Sequence, residues 1–321
     1  MRKPIGLLLC LLVFQTMALF GQAEQFTVTY TNASSGIVYQ ADKGSDAVRV
    51  FPGKELPDYG RVTIKRGKWL NLIYNGQKRK LEGPLKVDLA QLATEMKVEK
   101  KSTFLGRFWN FLGNSVSQTN SANDIEKYHR RYLTNARAGI SGFGDKSYPI
   151  QVPVYLTETL GASSFDLQWT ALSGASGYGV TIRERDAEEI ILKAYTKGNQ
   201  LTIQLEELNL SSDAVYQMQI TAQGLDSNQT SDNIFFSYEP AVVQEFIEDL
   251  KKDREWTTLH GVEQDLYLAQ QLEEEGFFQN AHHYYQSMMK AHPQSPFFKK
   301  LYAAFLVRMD APERAKAVLN F

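Results

Sequence analysis

Tyr216-Gln217-Met218-Gln219-Ile220-Thr221-Ala222 alternates apolar and polar side chains along its whole length, the pattern of a strand with one face on a core. Neighbouring stretches repeat it. Phe165, Leu167 and Trp169 alternate, as do Tyr178, Val180 and Ile182, and then Leu201, Ile203 and Leu205. Turn residues separate these runs at the intervals of a two-sheet packing, so residues 147–239 are predicted to form a β-sandwich.

The pattern changes on both sides of this block. From Gln25 to Leu92 short alternating runs recur: Val48 and Val50, then Val62 and Ile64, then Leu70, Leu72 and Tyr74, and last Leu85, Val87 and Leu89. Pro52-Gly53 and Gly83-Pro84 punctuate them, and Asn75-Gly76 is a strong hairpin signal because both residues tolerate positive φ. Residues 24–95 therefore read as a small antiparallel β domain. Between the two β regions, Phe104, Leu105, Phe108, Trp109, Phe111, Leu112 and Val116 recur at helical spacing. Asn123 with Glu126 suggests a capping box for a second helix bearing Ile125, Tyr128 and Tyr132, and Gly139, Gly142 and Gly144 end the unit. Residues 96–146 are thus predicted to be a helical hairpin. After Pro240, Val242, Val243, Phe246, Ile247 and Leu250 open a helical region that runs from 240 to 321. The expected fold class is multidomain, β plus α.

The 321 residues hold 35 Lys and Arg against 36 Asp and Glu, a balance without the basic excess of a nucleic-acid binder. Residues 1–23 have a basic head at Arg2 and Lys3, an apolar run from Pro4 to Phe20, and small residues in Gly21-Gln22-Ala23. That is the anatomy of a secretory signal peptide, and no later stretch is apolar and long enough to span a bilayer. The single cysteine, Cys10, falls inside the apolar run after Leu9, which differs from a lipoprotein signal. An exported chain cut after residue 23 then has no disulfide, cysteine–zinc site or thiol nucleophile, and its length without disulfides suits a bacterial periplasm or cell surface. Asn32, Asn209 and Asn228 stand in sequons short enough to arise by chance.

Three family resemblances sit on this frame. Val50-Phe51-Pro52-Gly53-Lys54-Glu55-Leu56, Gly60-Arg61-Val62 and Leu72-Ile73-Tyr74-Asn75-Gly76 resemble the FecR-like β domain of exported bacterial proteins, some of which act in cell-surface signalling. Residues 147–239 resemble a fibronectin type III domain: Trp169 matches its buried tryptophan and Tyr178 the tyrosine of its third strand. Leu210 precedes Tyr216 by the spacing of that family's tyrosine corner, where the phenol bonds nearby backbone. Leu268, Ala269, Gly276, Ala281, Tyr285 and Pro293 fall at tetratricopeptide spacing, and Ala303 and Ala315 repeat Ala269 and Ala281 with Asp310 in place of the turn glycine. Small alanines let paired helices approach, Gly276 makes the turn and Pro293 ends the second helix.

Catalytic motifs are missing from the sequence. His282 and His283 are adjacent, so they do not chelate as an i,i+4 pair would, and with His129, His260 and His292 they read as polar helix faces. There is no Gly-x-Ser-x-Gly elbow, and Gly139, Gly142 and Gly144 lack the Lys and Ser/Thr of a phosphate loop. Glu188-Glu189 and Glu273-Glu274-Glu275 read as a solvated strand edge and a solvated helix face. Phe108 and Trp109, near Lys97, Lys100, Lys101 and Arg107, suit either a membrane surface or burial in the core.

These readings point to an exported, non-catalytic binding or scaffold protein with a protein partner in the envelope and no metal or cofactor. The tetratricopeptide resemblance implies a partner-facing groove lined by Glu263, Gln270 and Glu273 in one repeat and Lys300 in the next. Two other functions remain open: an envelope sensor or regulator acting through the FecR-like domain, and a hydrolase with acids from different domains.

Overall fold

The computed structural model describes residues 25–98, 104–136, 147–225 and 229–320. Residues 1–23, expected to be a signal peptide, and the glycines at 139, 142 and 144 lie outside them, as do Lys100, Lys101 and Asn228. The chain has a multidomain architecture of mixed β and α structure, in two compact units, Met1–Lys101 and Ser102–Phe321.

The first unit is built on two four-stranded antiparallel sheets. One has the order β4 (Glu55–Pro57), β1 (Gln25–Thr31), β6 (Trp69–Tyr74), β7 (Gln77–Glu82). The other runs β3 (Val48–Arg49), β2 (Ile37–Gln40), β5 (Arg61–Ile64), β8 (Leu85–Asp88). The alternation seen in the sequence puts Phe26, Val28, Ile37, Val62, Ile64, Leu70 and Leu72 into one shared core. Asn75 and Gly76 both have positive φ, 48° and 70°, and close the β6–β7 hairpin with Tyr74 opposite Gln77. Leu89, expected to continue the last strand, instead opens helix α1 (Leu89–Val98). Asp88 Oδ1 accepts the Ala90 N–H at 3.0 Å and so caps that helix; a helix cap overrides the short alternation before it.

In the second unit, β12 (Ile190–Thr196), β11 (Gly177–Glu184), β14 (Val215–Gln223), β15 (Ile234–Tyr238) and β9 (Glu158–Leu160) form one sheet in that order. Strands β10 (Ser164–Gln168) and β13 (Gln200–Gln204) form the other, and Leu205 turns into a one-turn 3-10 helix, Leu205–Leu208. Leu167, Val180, Ile182, Met218 and Ile220 are buried. Trp169 is buried with its ring edge-to-face on Tyr178, 5.3 Å between centroids. Tyr178 Oη accepts the Leu172 N–H, and Tyr216 Oη accepts the Ser211 N–H at 2.6 Å and donates to Ser211 O at 3.2 Å. That phenol thus anchors the chain one residue beyond half-buried Leu210.

The helices of this unit are α2 (Phe104–Ser117), α3 (Ala122–Ala136), α4 (Pro240–Lys252), α5 (Arg254–Thr257), α6 (Val262–Glu274), α7 (Phe278–Ala291), α8 (Pro296–Arg308) and α9 (Pro312–Leu319). Ser121, rather than Asn123, starts α3: its Oγ accepts the Asp124 N–H and donates to the Asp124 carboxylate. Ala269, Ala281, Ala303 and Ala315 have no exposed surface and let α6–α7 and α8–α9 pair closely. Gly276 and Asp310 both stand at positive φ, 85° and 58°, so the aspartate performs the turn expected of a glycine. Pro293 follows the last turn of α7.

Candidate functional site

Helix α8 carries Phe297, Phe298, Leu301, Tyr302, Ala303, Ala304, Phe305, Leu306, Val307 and Arg308, all buried. Apolar side chains occupy its full circumference, so the helix needs cover on every side. Helices α2 and α3 supply one cover, with α2 against α8 and α3 against α8 and α9. Phe108 and Trp109 are 1% and 2% exposed, and Phe108 meets Tyr267 of α6 edge-to-face at 5.8 Å. Of the two settings considered for these rings, the structure selects the core.

At the centre of this packing lies a buried ion pair. Arg308 and Glu273 side chains are 5% and 9% exposed. Arg308 Nε donates to Glu273 Oε1, and Nη2 donates to Oε2 at 2.9 Å. The remaining guanidinium nitrogen, Nη1, donates to Tyr128 Oη at 3.0 Å and Ser115 Oγ at 3.3 Å, while the Phe111 ring lies 4.9 Å from Cζ. Tyr285 Oη donates to Glu273 Oε2 at 3.2 Å. Burial opposes the charge on Arg308, but Glu273, Tyr128 and Tyr285 together outweigh it and hold the guanidinium pKa well above its ordinary value. Burial first, and then the Glu273 charge, push the Tyr285 phenol well above its usual range, so it stays a donor. Five helices, α2, α3, α6, α7 and α8, meet at one bidentate pair.

Polar contacts extend this seam. His129 Nε2 is 2.6 Å from Asp310 Oδ1, so the residue that replaces the turn glycine also holds α3. Thr119 Oγ1 donates to Lys300 O at 3.4 Å, and Lys316 Nζ donates to Glu126 Oε1 at 3.0 Å. Glu126 is therefore engaged with α9 rather than with a capping box.

The sandwich covers α7. Val154–Leu156, a 3-10 turn, is wholly buried, and Tyr155 stacks on His282 at 4.2 Å with 7° between the rings. His282 Nε2 lies 2.8 Å from Tyr302 Oη, and Arg314 donates to Tyr155 Oη. Burial among these rings, reinforced by Arg314, lowers the His282 pKa to about 3, so the imidazole is neutral at pH 7. At Gly161 the backbone runs close to α4: a Cβ there would lie 2.6 Å from the Val243 side chain. Gln279 Nε2 donates to Ser164 O, and its Oε1 accepts the Ala162 N–H.

This arrangement revises the expected groove. Glu263 has no exposed surface and accepts the His260 N–H at the start of α6. Gln270 is buried and donates to Glu274, and Glu273 is locked to Arg308 instead of forming a solvated helix face. A partner does not reach these three side chains in this packing, because Glu263 and Gln270 are buried and Glu273 is held inside by Arg308. His282, expected on a polar helix face, instead packs among aromatic rings. Lys300 stays at the surface, where it lines a hollow of about 340 Å³ with Thr119, Asn120, Gln294, Lys299 and Asn320. Of the residues that organise the site, Arg308, Ser115 and Tyr155 escaped the sequence reading, and Tyr128 entered it only as part of a helix face. The available signal was Leu301–Val307, an apolar run without a polar face.

Among the described residues no group of three or more His, Cys, Asp or Glu side chains is placed to hold a metal ion, and no helix is long and apolar enough to cross a membrane. No model of a known protein family matches this sequence, and no curated protein matches it.

Proposed function

We propose that this protein is an exported, non-catalytic binding and scaffold protein of the bacterial envelope, whose C-terminal tetratricopeptide-like helices hold the rest of their unit in place and dock a protein partner. The observation that carries this reading is the Glu273–Arg308 pair, whose hydrogen-bonding atoms are engaged with helices of the same chain. Its role is cohesive: a buried, fully bonded ion pair brings helices into register and leaves no free group for chemistry. On this reading the partner meets the open end of the array at the hollow beside Lys299 and Lys300, rather than the filled face.

Truncation before α4 is a poor test, since it would strip cover from Tyr155 and Phe108. Site-specific photo-crosslinking in native cells is better. A probe at position 299 is expected to give one discrete protein adduct that Lys300→Glu diminishes and that a probe at exposed position 188 does not give. No discrete adduct at 299, or equal adducts at both positions, would refute the docking role.

A further inference from the structure

The charges of the chain are unevenly divided. Residues 25–98 hold twelve Lys and Arg against seven Asp and Glu, whereas residues 104–320 hold nineteen against twenty-seven. In the first unit, Val62 and Ile64 of β5 face the core, so Arg61, Thr63 and the following Lys65 face outward. Strand register carries this face across the sheet: Arg49 lies opposite Val38, Val38 opposite Thr63, and Thr63 opposite Lys86. The next row is Gln40, Arg61 and Asp88. Arg49, Arg61, Lys65 and Lys86 are exposed, as is Arg66 in the turn that follows β5. Among the described residues none of these five cations is in an ion pair. The one carboxylate in the two rows, Asp88, accepts N–H groups of α1 as its cap.

We infer that this outward face of the β3-β2-β5-β8 sheet is a docking surface for an anionic lipid bilayer. Shape selects the occupant. Three inter-strand steps of about 4.8 Å spread the row from Arg49 to Lys86 over roughly 14 Å of open sheet. Cations spread over a plane match a charged plane, whereas a single anionic polymer chain is gripped best by a groove that follows its backbone. The attraction is electrostatic, falls with salt, and needs no inserted side chain. This inference is independent of the docking hollow, because the face belongs to the other unit.

The test is co-sedimentation of the full chain with vesicles of phosphatidylcholine alone and with 30% phosphatidylglycerol. The neutral vesicles account for anything contributed by the apolar residues 4–20. Binding is expected to rise with the anionic lipid and to fall as salt is raised. Arg61→Gln with Lys86→Gln should weaken the anion-dependent part about 25-fold, about fivefold for each charge. Lys193→Gln with Lys197→Gln, the same charge change on exposed positions of the other unit, should leave it unchanged. Equal binding to both vesicle types would overturn the inference, as would equal losses from both double variants. Retention on heparin without binding to anionic vesicles would also overturn it, in favour of a soluble polyanion.

Discussion

The β-sandwich and the C-terminal helices solve the same problem with different chemistry. In the sandwich, the interior is filled by residues that alternate along each strand, among them Leu167, Val180, Ile182, Met218 and Ile220, and the phenols of Tyr178 and Tyr216 bond backbone only six and five residues away. Among the helices the interior contains a formal charge pair with a phenol on either side, from residues far apart in sequence. A strand with one wet face announces its core by period two. A helix buried all round announces only that something must cover it, and polar groups then settle which surface does so. The comparison separates cohesion that is local and apolar from cohesion that is long-range and polar.

The comparison breaks first at Arg308. Arg308→Met should cost about 4 kcal/mol in urea denaturation of the full chain, because Glu273 is left charged and buried without its partner. The double variant Arg308→Met/Glu273→Gln should recover much of that loss. If the single variant costs less than the sandwich change below, the pair is not the organising contact.

His282 sharpens the contrast through pH. Its folded pKa of about 3 lies below the ordinary 6.5, so between those values the unfolded chain binds the extra proton. The contribution of the neutral imidazole is present in full above pH 6.5 and lost as pH falls toward 3, on the order of 3 kcal/mol by pH 4. His282→Gln should flatten that part of the stability–pH curve measured by thermal melting; an unaltered curve would place the imidazole in water. The sandwich should respond least. Tyr216→Phe removes the phenol from Ser211 and should cost about 1 kcal/mol, with little dependence on pH. A loss as large as that of Arg308→Met would mean that the tyrosine holds more than its local turn.

Much of the architecture was legible before any coordinates. The Asn75-Gly76 hairpin, the strand alternation, the helix after Pro240 and the alanine-lined helix pairs all rest on interactions within a few residues or on one repeating face. Errors arose where two local rules competed. At Leu89 a helix cap replaced strand alternation, and at Ser121 one cap displaced another three residues away from its expected partner. The candidate site was legible only in part. Lys300 lines a surface hollow, but Glu263, Gln270 and Glu273 are internal, and spacing along a helix does not say what lies against it.

By itself, the sequence determined a mixed β and α chain and most of its element types, because backbone geometry ties side-chain period to strand or helix. It also determined that α6 pairs with α7 and α8 with α9, since short loops and small residues act at close range. Only the tertiary structure decided that α2 and α3 cover α8, that Glu273 finds Arg308, and that His282 lies on Tyr155. Those contacts join residues 35 to 193 positions apart in the chain. Their selection depends on the combined fit of apolar surface and the requirement that every buried charge be paired, which no single stretch of chain encodes.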